Sequence, residues 1–246
     1  MEQFEVYPII PIHIGALDIS FTNSSLWMCL VAASASLLLT LSVSSRSAVP
    51  SRMQSVAEIS YLFISDLIRS AAGPEGMKFF PFIFTLFMFV LFSNMLGLIP
   101  LVHAFTVTSH IIVTLALALV VFFMVIIVGV WKHGVRFLTL FTPKVPHVML
   151  IILVPIEIIS FLSRPLSLSV RLAANMLAGH TMLKVFGGFV VSLATAGGAL
   201  SVLSIVPMLA IIGVTALEFL VAFLQAYVFA ILTAIYLSDA LHLHDH

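Results

Sequence analysis

Residues 147–190 form a run of 44 positions interrupted only by isolated polar side chains. As one α-helix, at about 1.5 Å per residue, this run would reach about 65 Å, roughly twice the hydrocarbon core of a bilayer. It must therefore be a steeply tilted helix or be broken into two spans. Pro155 and Pro165 offer places to kink. A second over-long apolar segment occupies 200–237, and the glycine pairs Gly187, Gly188 and Gly197, Gly198 are expected to bracket the turn between the two.

Composition agrees. Of 246 residues, 62% are hydrophobic and 8% charged, against about 25% charged in a soluble domain, so the bilayer is the solvent. A formal net charge of zero argues against nucleic-acid binding. Cys29 is the single cysteine, which excludes an intrachain disulfide and a thiolate metal cluster. The opening MEQFEVYPIIPIHIG has acids but no basic residue, so it is not expected to be a cleavable signal peptide.

Along the chain, 1–22 is acidic and proline-punctuated, and is expected outside the membrane on the outer side. Residues 24–45 make a first span ending at Arg46 and Arg52, which belong on the cytoplasmic or matrix side. Residues 51–72 differ: Gln54, Glu58, Ser65 and Arg69 recur at helical spacing, with Val56, Ile59, Leu62, Phe63 and Leu67 mainly on the other flank. That is the pattern of an amphipathic helix on the membrane surface or against a partner helix, ended by Gly73, Pro74 and Gly76. Residues 79–101 and 107–131 read as an antiparallel pair of spans joined through 100–106. The basic residues Lys132, His133, Arg136 and Lys144 follow on the same side as Arg46. The expected fold is a single all-α polytopic membrane domain. It has about five membrane-embedded helices and one amphipathic surface helix, and the last two helices, 147–190 and 200–238, are long and steeply tilted.

Inside this apolar frame lies SLSVRLAANMLAGH, residues 167–180. A charged side chain at mid-bilayer costs about 2.5–3.5 kcal/mol on insertion scales. Arg171 cannot escape by losing its proton, because a guanidinium stays charged in proteins. Unless it snorkels to a headgroup, it asks for an anion. Helical arithmetic puts Glu157 about 40° from Arg171 in projection and about 21 Å away along the axis. Asn175 lies one turn later on the same side, and His180 points to the opposite face. Glu218 and Gln225, seven apart, share a stripe of the last segment. Each has a bland alternative: the carboxyls as protonated structural groups, the amides and imidazole as interhelical hydrogen-bond partners. Together, polar groups staggered in depth can line a wet path. The tail HLHDH is read as solvated rather than as a metal site, and no cofactor or metal is expected. A proton-coupled secondary transporter also carries intramembrane charges, but normally shows paired repeats and interrupted helices in both halves. An intramembrane hydrolase lacks support, since no H-E-x-x-H motif occurs.

The motif SLSVRLAANMLAGH, with Glu157 upstream, NMLGLIP at 94–100, and Glu218 and Gln225 near the end, resembles subunit a of the F-type ATP synthases over nearly the whole chain. FTNSS at 21–25 and FTVTSH at 105–110 are similar to the alphaproteobacterial and mitochondrial branch. Many bacterial members carry a carboxylate where His180 stands and a histidine where Glu218 stands. Here the two are exchanged, which suggests that they face each other. The resemblance implies a single tilted helix over the 44-residue run and a stator role without nucleotide binding. Arg171 would face a ring of c subunits, each bearing a membrane-embedded carboxylate. Two aqueous half-channels would flank it, the inlet past His180, Glu218, Asn175 and Gln225 and the outlet past Glu157. Implied partners are the c-ring, subunit b of the peripheral stalk and the lipid bilayer. The implied location is an energy-coupling membrane, the bacterial inner membrane favoured over the mitochondrial one.

Overall fold

The computed structural model describes residues 7–11, 13–14, 17–18, 20–44, 50–99, 107–134, 137 and 147–241. Arg46, Arg136, Lys144, the connection at 100–106 and the HLHDH tail lie outside the described residues.

The chain begins with two short antiparallel pairings absent from the sequence reading. Strands β1 (Pro8–Ile10) and β4 (Phe21–Thr22) pair around β2 (His13–Ile14) and β3 (Leu17–Asp18). They deliver the chain to α1 (Asn23–Ser44), whose first turn is capped from the sequence itself. The Thr22 hydroxyl accepts from the Ser25 amide at 3.3 Å, and the Asn23 carbonyl oxygen accepts from Ser24 N at 2.9 Å and Tyr7 N at 3.3 Å. These side chains take up donors that a helix start leaves unpaired.

Ser51 caps α2 (Arg52–Gly76) by accepting from Gln54 N at 3.3 Å. Gly73 interrupts it with φ 66°, a conformation open to glycine and closed to most L residues, immediately before Pro74. The chain then winds on to Gly76, past the expected end at 72. The expected division of faces also changes. Ser65, assigned to the polar flank, is buried beside Ile64, Leu67, Ile68 and Ala72, whereas Val56, Ile59 and Leu62 are exposed. Packing against α7 decides the buried face, because that neighbour lies far away in sequence.

Helix α3 (Phe80–Gly97) opens with proline in its first turn and stops short of the expected 101. Pro100 cannot supply the amide needed to extend it and disfavours helical backbone just before it. A 3₁₀ turn, Val107–Ser109, replaces the expected start of the next span, and α4 runs Ile111–His133 after His110 leaves helical geometry at ψ 117°. Gly134, at φ 58°, ends it.

The 44-residue run is one helix, α5 (His147–Thr195), 49 residues and about 73 Å long, continuing through both prolines and through Gly187 and Gly188. The expected role of that first glycine pair as a turn marker is therefore corrected. Only Gly197 and Gly198, at φ 71° and 62°, make the turn. A short α6 (Ala199–Leu203) precedes α7, which starts at Ile205 rather than 200 and ends at Leu241 rather than 238. Pro207 sits in the first turn of α7, where its missing amide costs no helix bond. The last residues stay helical because Ala240 and Leu241 are buried.

Helix α7 is the hub, packed against α2, α3, α4 and α5. Its Ala222, Ala226, Ala230 and Ala234, each 0% exposed, recur every four residues, so neighbouring backbones approach closely along that side. Phe87 and Val90 of α3, Ile64 and Ile68 of α2 and Leu172 of α5 complete the core. At one end, Ser42 donates to the Met53 carbonyl at 3.1 Å, Lys132 pairs with Glu75, and the His133 ring meets the Leu241 carbonyl at 3.2 Å. Among the described residues, five helical stretches are long and apolar enough to cross a membrane: Asn23–Ser42, Arg52–Gly97, Ile111–His133, Met149–Thr195 and Ser201–Leu241.

Ala226→Leu, which adds methylenes at a closed helix contact, is expected to cost about 1–3 kcal/mol. It should lower the thermal unfolding midpoint of the detergent-purified assembly, while Ala226→Ser leaves that midpoint nearly unchanged.

Candidate functional site

Arg171 sits midway along α5. Arg171, Ala174, Asn175 and Ala178, at spacings of three, four and seven, form one exposed face, while Leu172, Ala173 and Met176 are buried on the other. The guanidinium thus stands on an uncovered side of the molecule, flanked by methyl groups small enough for another backbone to come close. Among the described residues Arg171 has no acidic partner, whereas Arg164 pairs with Asp239 and Lys132 with Glu75. Asn175 is on the same face one turn away.

His180 projects away from that face and is buried, 9% exposed. Glu218, also 9% exposed, approaches α5 at the residue before it: a Cβ at Gly179 would collide with the Glu218 carboxyl. The missing side chain of Gly179 is what makes room for the acid. The Oε2 atom of Glu218 is enclosed and has no hydrogen-bond partner among the described residues. An acid in that condition is costly to keep ionised unless water or another charge reaches it. The fold therefore brings Glu218 to the turn of α5 that carries His180. Gln225 is half-buried two turns further along α7. The helices run antiparallel, with Arg164 beside Asp239 and Gly179 beside Glu218. Interpolating between these contacts sets Gln225 level with Asn175, one turn from Arg171. Glu157 stands apart, half-buried on α5 and about 21 Å from Arg171 along the axis.

Several polar residues of this region escaped the sequence reading. Arg164 donates to Asp239 at 3.1 Å and lies over the rings of Phe161 and Tyr236, at 5.4 and 4.9 Å from their centroids. Lys184 stands one turn beyond His180. The signal for Arg164 and Asp239 was the spacing of seven. Glu157, Arg164 and Arg171 repeat at that interval on α5, and Glu218, Gln225 and Asp239 fall on the same interval on α7. Asn94, Thr108 and Ser169 lie inside the quoted motifs, but nothing in the sequence marked them as ties between helices. Asn94 and Thr108, both 0% exposed, bond to each other at 2.8 Å, and Asn94 Nδ2 donates to the Ala222 carbonyl at 3.1 Å. Thr114 and Ser169 share a hydroxyl contact of 3.3 Å. Nearby, burial pushes the His110 imidazole below its usual pKa, which favours the neutral ring. Among the described residues no group of three or more His, Cys, Asp or Glu could hold a metal ion.

The chemistry available is ionic rather than covalent. One fixed cation is presented outward, one enclosed carboxyl and an imidazole sit on the other side of the same helix, and a separate acid lies nearer the end where α4 and α7 finish.

A family model described as ATP synthase A chain matches residues 25–238. Curated proteins are similar over nearly their whole length. "ATP synthase subunit a" of Chelativorans sp. (strain BNC1) is 59% identical over 98% of this chain and 97% of its own. The protein of the same description from Mesorhizobium japonicum is 58% identical over 98% and 96%, and that from Maricaulis maris 57% over 98% and 96%.

Gly179→Ala places a methyl group where the Glu218 carboxyl now lies. It is expected to lower the thermal stability of the purified assembly, and Glu218→Asp, shorter by one methylene, is expected to recover part of that loss in the double variant.

Proposed function

The chain belongs to the ATP synthase A chain family, and on that premise we propose that Arg171 is the charge that separates two half-channels in the membrane sector of a rotary enzyme. The chain is a multi-pass stator proton-channel subunit of an F-type ATP synthase, a multisubunit membrane assembly. The finer reading begins from one observation: a permanent cation faces outward beside two alanines, with no acidic partner among the described residues. The anion must then come from another polypeptide, and a ring of c subunits with buried carboxylates supplies it.

At about 4 Å and an effective dielectric of about 20, Arg171 and a ring carboxylate attract by about 4 kcal/mol. That holds the carboxylate ionised opposite the arginine and still lets it leave. Protons come in from the outer side past His180, Glu218, Asn175 and Gln225 and neutralise a ring carboxylate, which can then turn through lipid. The carboxylate comes round to the other side of Arg171 and releases its proton past Glu157. Each crossing carries about 2.3 kcal/mol per 100 mV, which leaves the membrane as rotation. Histidine suits the inlet because an imidazole can both accept and donate a proton. No group of this chain binds nucleotide in this scheme.

The same reading assigns surfaces. Both ends of α2 are tied to helix ends that share one side of the bundle, α1 at Ser42 and α4 at Lys132. Helix α2 therefore lies along the inner face, where subunit b of the peripheral stalk docks, and the segment 1–22 lies on the outer side. Alphaproteobacterial relatives favour the bacterial inner membrane as the location.

Arg171→Ala is expected to abolish ATP synthesis and ATP-driven proton pumping while the complex still assembles. Coupled pumping by that variant in vesicles would overturn the assignment. Glu218→Gln is expected to slow proton translocation across about pH 6 to 9, and a wild-type rate over that range removes Glu218 from the path.

A further inference from the structure

The groups of the proposed path sit on two helices, Arg171 on α5 and Glu218 on α7, so their relative height depends on the axial register of those helices. Apolar packing specifies that register weakly. The alanine stripe of α7 repeats every four residues, and a helix side that repeats by the turn packs almost as well when shifted by one turn. Directional bonds do the opposite, and the α3–α4 hairpin supplies one to each long helix at the height of the site.

On α7, Asn94 Nδ2 donates to the carbonyl of Ala222, one turn and about 6 Å from Glu218. That carbonyl already serves its own helix, and its second lone pair takes the amide. The Thr108 hydroxyl donates to Asn94 Oδ1 at 2.8 Å, which fixes the amide's orientation. Both residues are 0% exposed, so neither can exchange its partner for bulk water. On α5, the Thr114 and Ser169 hydroxyls meet at 3.3 Å, two residues from Arg171, and both are likewise fully enclosed. Asn94, Thr108 and Thr114 belong to the hairpin, and none of them reaches the charged groups.

We propose that Asn94, oriented by Thr108, is a positioning residue that sets the height of Glu218 against Gly179. The α3–α4 hairpin is then the ruler that holds this acid at its depth beside α5. This rests on the reading of Glu218 as a path residue. The effect on flux is indirect: a slide of α7 moves the Glu218 carboxyl away from the space left by Gly179 and alters how it is solvated.

The test uses the whole complex in inverted membrane vesicles, comparing wild type with Thr108→Val, Thr108→Ser, Asn94→Leu and Glu218→Gln. Thr108→Val keeps the shape and removes only the bond that orients Asn94. ATP-driven proton flux per assembled complex is measured as a function of pH, with assembly quantified in the same membranes. Thr108→Val and Asn94→Leu are expected to lower the flux per complex about tenfold or more, as misplacement in a proton path does, and to displace its pH profile. Thr108→Ser, which keeps the hydroxyl, should restore both. Wild-type flux and profile in Thr108→Val overturn the proposal. So does a fall in assembled complex, or in flux, with the pH profile unchanged, since that is what loss of packing alone produces. Wild-type flux in Glu218→Gln instead removes the premise, and so separates failure of the path reading from failure of the positioning role.

Discussion

A guanidinium in a low-dielectric interior keeps its charge, and that fact governs how the rest of this protein is arranged. Other ionisable groups at such depth can be neutralised by gaining or losing a proton, and pay for burial in that way. Arg171 cannot, and it stands on an exposed face of α5 beside Ala174, Asn175 and Ala178. Arg164, one heptad away, shows the contrasting solution: it is matched within the chain by Asp239 and two aromatic rings. Two arginines on one helix thus have different surroundings, one matched within the chain and one on an exposed face.

Around that constraint the bundle is organised by α7. Its alanines draw α2 and α3 close, and the close approach lets a buried asparagine of α3 reach a main-chain carbonyl of α7. Such bonds add little net energy in a membrane, where the alternative partners are also protein groups. Their effect is geometric, because a fully enclosed amide with both ends satisfied tolerates little axial play. Glycine has the complementary role at Gly179, where the absence of a side chain admits an acid from the facing helix.

Several members of the candidate site stand out in the sequence because charge in an apolar run is conspicuous. Arg171, Asn175 and His180 fall on the expected sides of α5, since a helix converts spacing into direction. Glu218 and Gln225 were picked out in the same way. Arg164 and Lys184 were passed over although they are charged, because the apolar run was read as interrupted only by isolated polar residues, and the seven-residue spacing that links Arg164 to Glu157 and Arg171 went unused. Asn94 drew notice only as part of NMLGLIP and Thr108 only as part of FTVTSH, and Thr114 not at all. A hydroxyl or amide in a membrane helix looks the same in sequence whether it bonds its own backbone, as Thr233 does to Phe229, or another helix.

Sequence by itself determined the solvent, the helical class and the chemistry on offer, because hydrophobic length, missing charge and one cation that cannot be neutralised are properties of the chain and not of its neighbours. The tertiary structure decided which face of α2 is buried, where the long helices begin and end, and that Glu218 meets α5 at Gly179. Each of these depends on contacts between residues far apart in the chain, such as Asn94 with Ala222, and periodicity along one helix carries no information about its register against another.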